Sequence, residues 1–333
     1  MSESRFSPVV SPPFPPEGGA AMVRHGGGFD WWQALARVLS SIDAVREGRA
    51  LYVLLSALSG GGLALATARA SLARGETSWA VFQAAVGLFI AFYGSNAAGL
   101  LMMDRALGRP PRDVFDALED ALGIAHRVLV ALAGMVLVAA ALAGGLLGLL
   151  WLSGLPKLGP WLFAGVVPLT VGVVGVVAVA GAAVAGPLTG PSVWLGASSW
   201  QSFRTLLGLI RHQLLQAAVM AVALSGLTGL VGAGTSLVVM LGGRVMAEAS
   251  VWMLGIDLPP EVLMVGLFGG GLQSINAAAV PKEAVAHTAA AAIGGGVVFA
   301  VALVLPTAVY LRGVCEVYLT LLRNEQRHGR SGA

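Results

Sequence analysis

Residues 113–152 read DVFDALEDALGIAHRVLVALAGMVLVAAALAGGLLGLLWL. Two patterns follow one another in this stretch. In the first, Val114, Phe115, Leu118, Ala121, Leu122 and Ala125 recur at helical spacing, with Asp113, Asp116 and Asp120 on the opposite face. That is the signature of an amphipathic helix lying at an interface. From Val128 to Leu152 no charged residue occurs. A helix of that length crosses the ~30 Å hydrocarbon core of a bilayer. Inside hydrocarbon every backbone polar group must find a partner within its own segment, so the run must be helical.

Five further runs of this kind flank it: Ala50 to Leu72, Trp79 to Met103, Trp161 to Val184, Leu214 to Leu241, and Ala289 to Leu311 continuing toward Leu322. The whole chain agrees with them. Of 333 residues 56% are apolar and 11% charged, against about 25% charged in a soluble domain, which leaves too little polar surface to cover a water-exposed globule. The fold class predicted is all-α, a polytopic membrane protein with six transmembrane helices. The alternating ten-residue segments of a membrane β-barrel are absent.

The odd spans share an introduction. The segment near 30–44 carries Trp31, Trp32, Leu35, Val38, Leu39 and Ile42 on one face, 113–126 is the stripe already described, and 199–212 carries Trp200, Phe203, Leu207 and Ile210. Asp30, Asp113 and Ser199 are the predicted N-caps. A shift of 86 residues places Asp113 on Ser199, Ile124 on Ile210 and His126 on His212. The even spans share an interruption near one end: Gly94, Ser95 and Asn96; Pro187 and Pro191; Pro306. The unit predicted is therefore an interfacial helix plus a hairpin, present three times. The interruptions predict kinks that splay the even helices and open a cavity at that end.

Flanking charge sets the orientation. Fifteen Arg and Lys flank the spans on the side of the termini and of the 104–127 and 185–213 connections, and five on the other. By the positive-inside rule both termini are cytoplasmic, and the reading is a bacterial inner (cytoplasmic) membrane protein. The Pro- and Gly-rich residues 1–28 predict a disordered tail, with Met22 as an alternative start, and 324–333 predict a second tail. Residues 29–323 form the six-helix domain. Within it, 242–287 predicts short apolar helices on the outer face, since neither of its apolar runs is long enough to span.

No catalytic signature is present: no His-Glu-x-x-His, Gly-x-Ser-x-Gly, P-loop or Cys-rich metal pattern. The single cysteine, Cys315, excludes an internal disulfide. No cofactor, metal or nucleic-acid partner is implied, and the arginines are dispersed beside the spans as topology signals. Three polar residues form the candidate intramembrane site. Arg312 and Glu316 share a helix face at i, i+4, and charge inside a membrane helix is costly enough to suggest function. Asn96 in the second span suits a bond to a neighbouring helix. Trp31, Trp32, Trp200, His126 and His212 read as interfacial anchors. Gly144 and Gly148 form a close-packing motif expected inside the monomer. Asp104 and Arg105 read as an interfacial charge pair, and the acids of 113–120 as a solvated face.

The interfacial helix before each odd span, the breaker in each even span and the end of the sixth span, Tyr310-Leu-Arg-Gly-Val-Cys-Glu-Val-Tyr318, resemble bacterial six-helix inner-membrane domains. These include the one fused to some glycerophosphodiester phosphodiesterases. The resemblance is architectural, covers about residues 30–323, and carries no phosphodiesterase motif and no catalytic residue. Together these readings predict a non-enzymatic accessory or scaffold subunit whose partners are the lipid bilayer and other membrane proteins. The alternative is a carrier or flippase for a lipid-like molecule. The sequence sets no oligomeric state.

Overall fold

The computed structural model describes residues 29–155, 159–254 and 294–331. Every long element among them is a helix, and six helices are long and apolar enough to cross a membrane. Helix α1 (Trp31–Leu39) starts where predicted: the Asp30 carboxylate accepts from the Gln33 backbone N–H at 3.1 Å. Ala34 and Val38 form its buried side. At its end Ser40 and Ser41 donate through their hydroxyls to the carbonyls of Arg37 and Val38, among the last carbonyls of the helix, which an α-helix leaves short of regular partners. The chain then tightens into a 3-10 segment, Ser40–Arg46, and enters α2 (Gly48–Ala73).

Helices α2 and α3 (Thr77–Ala106) form a close hairpin. Gly75 makes the turn with φ +81°, a conformation that costs glycine nothing, and Arg74 clasps Glu76 at 3.0 Å. Midway along, a Cβ on Gly61 or on Gly87 would come within 2.9 Å of the other's carbonyl oxygen, and Gly94 lies directly on Ala57. Small residues face small residues here, so the backbones approach closely.

Helix α4 (Val114–Leu152) has 39 residues, and α5 (Gly159–Ala180) follows it. A single π-helical turn, Gly181–Ala185, joins α5 to α6 (Gly186–Trp194). It sits immediately before Pro187, whose ring would otherwise collide with the carbonyl four residues back. Helix α7 (Ser199–Leu254) bends at Gln213, where φ is −136° and ψ 22°. Residues 294–302 form α8, a turn falls at Leu303, and α9 (Val304–Ser331) begins just before Pro306. In the first turn of α9 the missing proline N–H leaves no helix bond unmade.

The core lies at one end of the molecule, which we call the packed end. Val38, Leu54, Leu100, Met102, Leu188, Leu206, Met220 and Leu319 meet there, drawn from the termini-side halves of the spans. Toward the other, open end the helices differ. In the most apolar 18-residue window of each, 56% of residues are buried in α3 but 6% in α4 and 6% in the α5–α6 span.

Several expectations are corrected. The 113–126 segment is no separate helix: α4 runs through it without a break, because nothing between Arg127 and Val128 interrupts the hydrogen-bond ladder. The 199–212 segment does part from its span, at Gln213, and its cap is Ser198 rather than Ser199: Ser198 Oγ and Gln201 bond each other's backbone N–H at 3.3 and 3.1 Å, a capping box. Helix α3 has no kink at 94–96, since Gly94 serves close packing instead. The end at which the even helices were expected to splay is the packed end. Residues 242–254 continue α7 rather than forming a new surface helix, and 324–331 continue α9 rather than a tail. Residues 1–28, 255–287 and 332–333, on which further expectations fell, lie outside the described residues.

Candidate functional site

The charged groups of the packed end fall into two arrangements. In the first, Arg112, in the connection between α3 and α4, makes a two-pronged contact with Asp104: Nε to Oδ2 at 2.7 Å and Nη2 to Oδ1 at 2.9 Å. Its Nη1 reaches Asp120 Oδ2 at 2.6 Å. The connection is held from α2 as well, since Arg49 Nη1 donates to the carbonyls of Pro111 and Arg112 at 3.0 and 3.1 Å. Asp104 is 5% exposed. Hydrogen bonding to Asp104 raises the Arg112 guanidinium above its ordinary pKa, against the opposing effect of burial, and the charge of Asp120 adds to the rise. Arg112 therefore stays charged, and the cluster ties the end of α3 to the start of α4. Asp104 does not pair with Arg105, as the sequence suggested. Nor are the acids of 113–120 wholly solvated, because Asp120 is a member of this cluster.

The second arrangement surrounds a cavity of about 220 Å³ lined by Asp43, Ala44, Arg46, Glu47, Arg105 and Arg312. The 3-10 segment forms one wall, the end of α3 and the Arg312 turn of α9 the others. Arg105 Nε contacts Glu47 Oε1 at 2.7 Å, and Arg46 lies 3.8 Å from Asp43. Arg312 Nη2 contacts Glu316 Oε1 at 2.9 Å. The Nε and Nη1 of Arg312 are buried and have no hydrogen-bond partner among the described residues.

Asn96 is not part of this cavity. Its Nδ2 donates to the Phe92 carbonyl at 2.9 Å, and its Oδ1 accepts from Trp194 Nε1 at 3.0 Å. The Trp194 indole lies over Gly99 and Gly190, where a Cβ would collide with the ring. The predicted trio is thus divided: Asn96 joins α3 to α6, while Arg312 and Glu316 belong to the cavity. A further polar joint sits where α7 bends. Gln213, 5% exposed, accepts from Asn324 Nδ2 at 3.2 Å, and the buried hydroxyls of Ser192 and Ser202 meet between α6 and α7.

The aromatic and histidine anchors lie at the surface of the same end without converging. Trp32 is 84% exposed, Trp31 packs edge-on against Phe29, and Trp200 stacks on Phe203 with Arg204 over its ring at 5.0 Å. His126 and His212 are exposed. Gly144 and Gly148 were expected to pack within the monomer, but among the described residues a Cβ on either meets nothing within 4 Å. Among the described residues no group of three His, Cys, Asp or Glu is arranged to hold a metal.

Sequence reading missed Arg112, Arg46 and Glu47, and gave Arg105 the wrong partner. The available signal was the alternation Asp43, Arg46, Glu47 just before the first span, and the placing of Arg112 between Asp104, near the end of α3, and the acids of the first turns of α4. No protein-family model matches the chain, and no curated protein or solved structure matches it, so the functional reading rests on these residues.

Proposed function

We propose that this chain is a non-enzymatic multi-pass protein of a bacterial inner membrane, an accessory or scaffold subunit that holds other membrane proteins. The observation carrying this reading is the state of α4 and α5. Both are long and highly apolar, yet among the described residues they pack little, and the Gly144–Gly148 face of α4 meets no neighbour. Between helices in lipid, association depends on close van der Waals packing and small residues. An open small-residue face suits a partner helix. The 15-to-5 division of Arg and Lys supports cytoplasmic termini. The sequence match at an offset of 86 residues, Ile124 with Ile210 and His126 with His212, supports a repeated unit.

The test is affinity purification in mild detergent of the wild-type chain and of the Gly144→Leu, Gly148→Leu double variant. Loss of co-purifying membrane proteins from the variant, with its own unfolding temperature unchanged, is the expected outcome. Recovery of the same partners by both proteins would sink this reading. The carrier reading is favoured by one observation, the charged cavity containing Arg312. It requires that vesicles reconstituted with the protein redistribute a labelled lipid between leaflets faster than empty vesicles.

A further inference from the structure

Three faces run along the segment that leads into the first span. On the first, Ala34, Val38, Ser41 and Ala44 are buried, where α1 packs on α7 and α9 and the 3-10 segment on α9. Arg37 Nη1 fastens the same contact by donating to Thr320 Oγ1 at 3.4 Å. On the second face, Trp32, Leu39, Ile42 and Val45 are exposed, and the half-buried Leu35 continues their stripe. The third face is polar and exposed: Gln33, Ser40, Asp43 and Arg46.

The change of helix type keeps these faces straight. Three residues complete a turn of 3-10 helix. Ser41 therefore stands over Ala44, Ile42 over Val45, and Asp43 over Arg46. In an α-helix three residues fall about 60° short of a full turn. An α-helix continued through Arg46 would carry Val45 round toward the protein face and break the apolar stripe.

We infer that residues 31–46 lie along the bilayer surface, with the Trp32–Leu39–Ile42–Val45 face docked on lipid where headgroups meet acyl chains. Protein covers the first face, lipid the second, and water the third. A helix in that plane needs an apolar side and a charged side together, and tryptophan suits the headgroup level. The segment enters the span α2 directly at Gly48, which puts it at the end of a membrane crossing. Its polar face holds an exposed ion pair, Asp43 with Arg46 at 3.8 Å. The unpartnered side chains are large, whereas contacts between helices in lipid favour small ones. The small residues of this segment already face α7 and α9.

The inference rests on the chain being a membrane protein and not on the scaffold role. Its test uses the full chain in vesicles of phosphatidylethanolamine and phosphatidylglycerol. Cys315 is buried, so a cysteine introduced at the surface takes the spin label. The variants are Leu39→Cys, Ile42→Cys and Val45→Cys on the apolar face, and Gln33→Cys and Asp43→Cys on the polar face. All five positions are exposed, so the label displaces no packed side chain. Leu55→Cys, at an exposed position within α2, is the control. Collisions of each label are measured with oxygen, which concentrates among acyl chains, and with a water-soluble nickel chelate.

The ratio of oxygen to nickel collisions is expected to be several-fold higher at Leu39→Cys, Ile42→Cys and Val45→Cys than at Gln33→Cys and Asp43→Cys. Equal ratios on the two faces would overturn the inference. So would labels at 39, 42 and 45 that meet neither reagent, since a protein surface would then cover that face. A control label at Leu55→Cys that meets the nickel chelate freely would remove α2 from the bilayer, and the membrane reading would fall together with this one.

Discussion

The α2–α3 hairpin and the α4–α5 hairpin are written in nearly the same alphabet, and they behave differently. Both are apolar, both are rich in glycine and alanine, and both are long enough to span. In the first, Gly61 faces Gly87 and Gly94 faces Ala57, so the helices close on each other along their length. In the second, a Cβ on Gly144, Gly148, Gly165, Gly172 or Gly175 would meet nothing within 4 Å among the described residues. The lesson is that a small residue permits close approach without causing it. Contact needs a small residue on the opposing helix at the same height, together with polar fixings at the ends. The first hairpin has both, with Arg74 on Glu76 at its turn and the Asp104–Arg112 cluster at its foot.

The largest test of this contrast removes the fixing at the foot. Arg112→Met leaves Asp104 buried without its partner, and breaking such a pair costs about 3 kcal/mol. The figure is at the lower end of the range because Arg112 keeps some exposure. A fall of that size in unfolding free energy, measured in detergent against wild type, is expected. A change near zero would show that the cluster does not tie α3 to α4.

A smaller effect tests the hairpin itself. Gly94→Ala adds one methyl where Ala57 already lies, and overpacking of this kind costs about 2 kcal/mol. Gly144→Ala adds the same methyl to open space and is expected to change stability by less than about 0.5 kcal/mol. Equal losses from the two would mean that α4 has a neighbour along that face after all. The smallest effect concerns the joint between the two regions. Trp194→Phe keeps most of the ring over Gly99 and loses the hydrogen bond to Asn96. Bonds between helices in lipid contribute about 0.6 kcal/mol on average. Asn96→Ala should give a similar loss, and the double variant should cost less than the sum of the two, since each removes the same bond.

Legibility varied with distance along the chain. The spans were readable because each is a local property: twenty apolar residues in a row have one stable backbone in hydrocarbon. The Asp30 cap and the break near Pro187 were readable for the same reason. The interruption at 94–96 was misread because glycine has two uses. It can bend a helix or let a neighbour in, and only the position of Ala57 decides between them. The break between α1 and α2 was expected, but the absence of one at Arg127 was not, because a helix continues unless something stops it.

What the sequence determined by itself was therefore the number of spans, their approximate limits and the residues too polar to face lipid unaided. Those follow from composition within one segment. Which polar groups meet was decided by the tertiary structure alone. Asn96 finds Trp194 at a separation of 98 residues. Arg312 reaches a cavity whose other walls are residues 43–47 and Arg105. Arg112, in a connection, rather than the adjacent Arg105, takes Asp104. Such pairings depend on the heights and faces that helices present to one another. These are set by packing at the end where all six spans converge, and a linear pattern does not contain them.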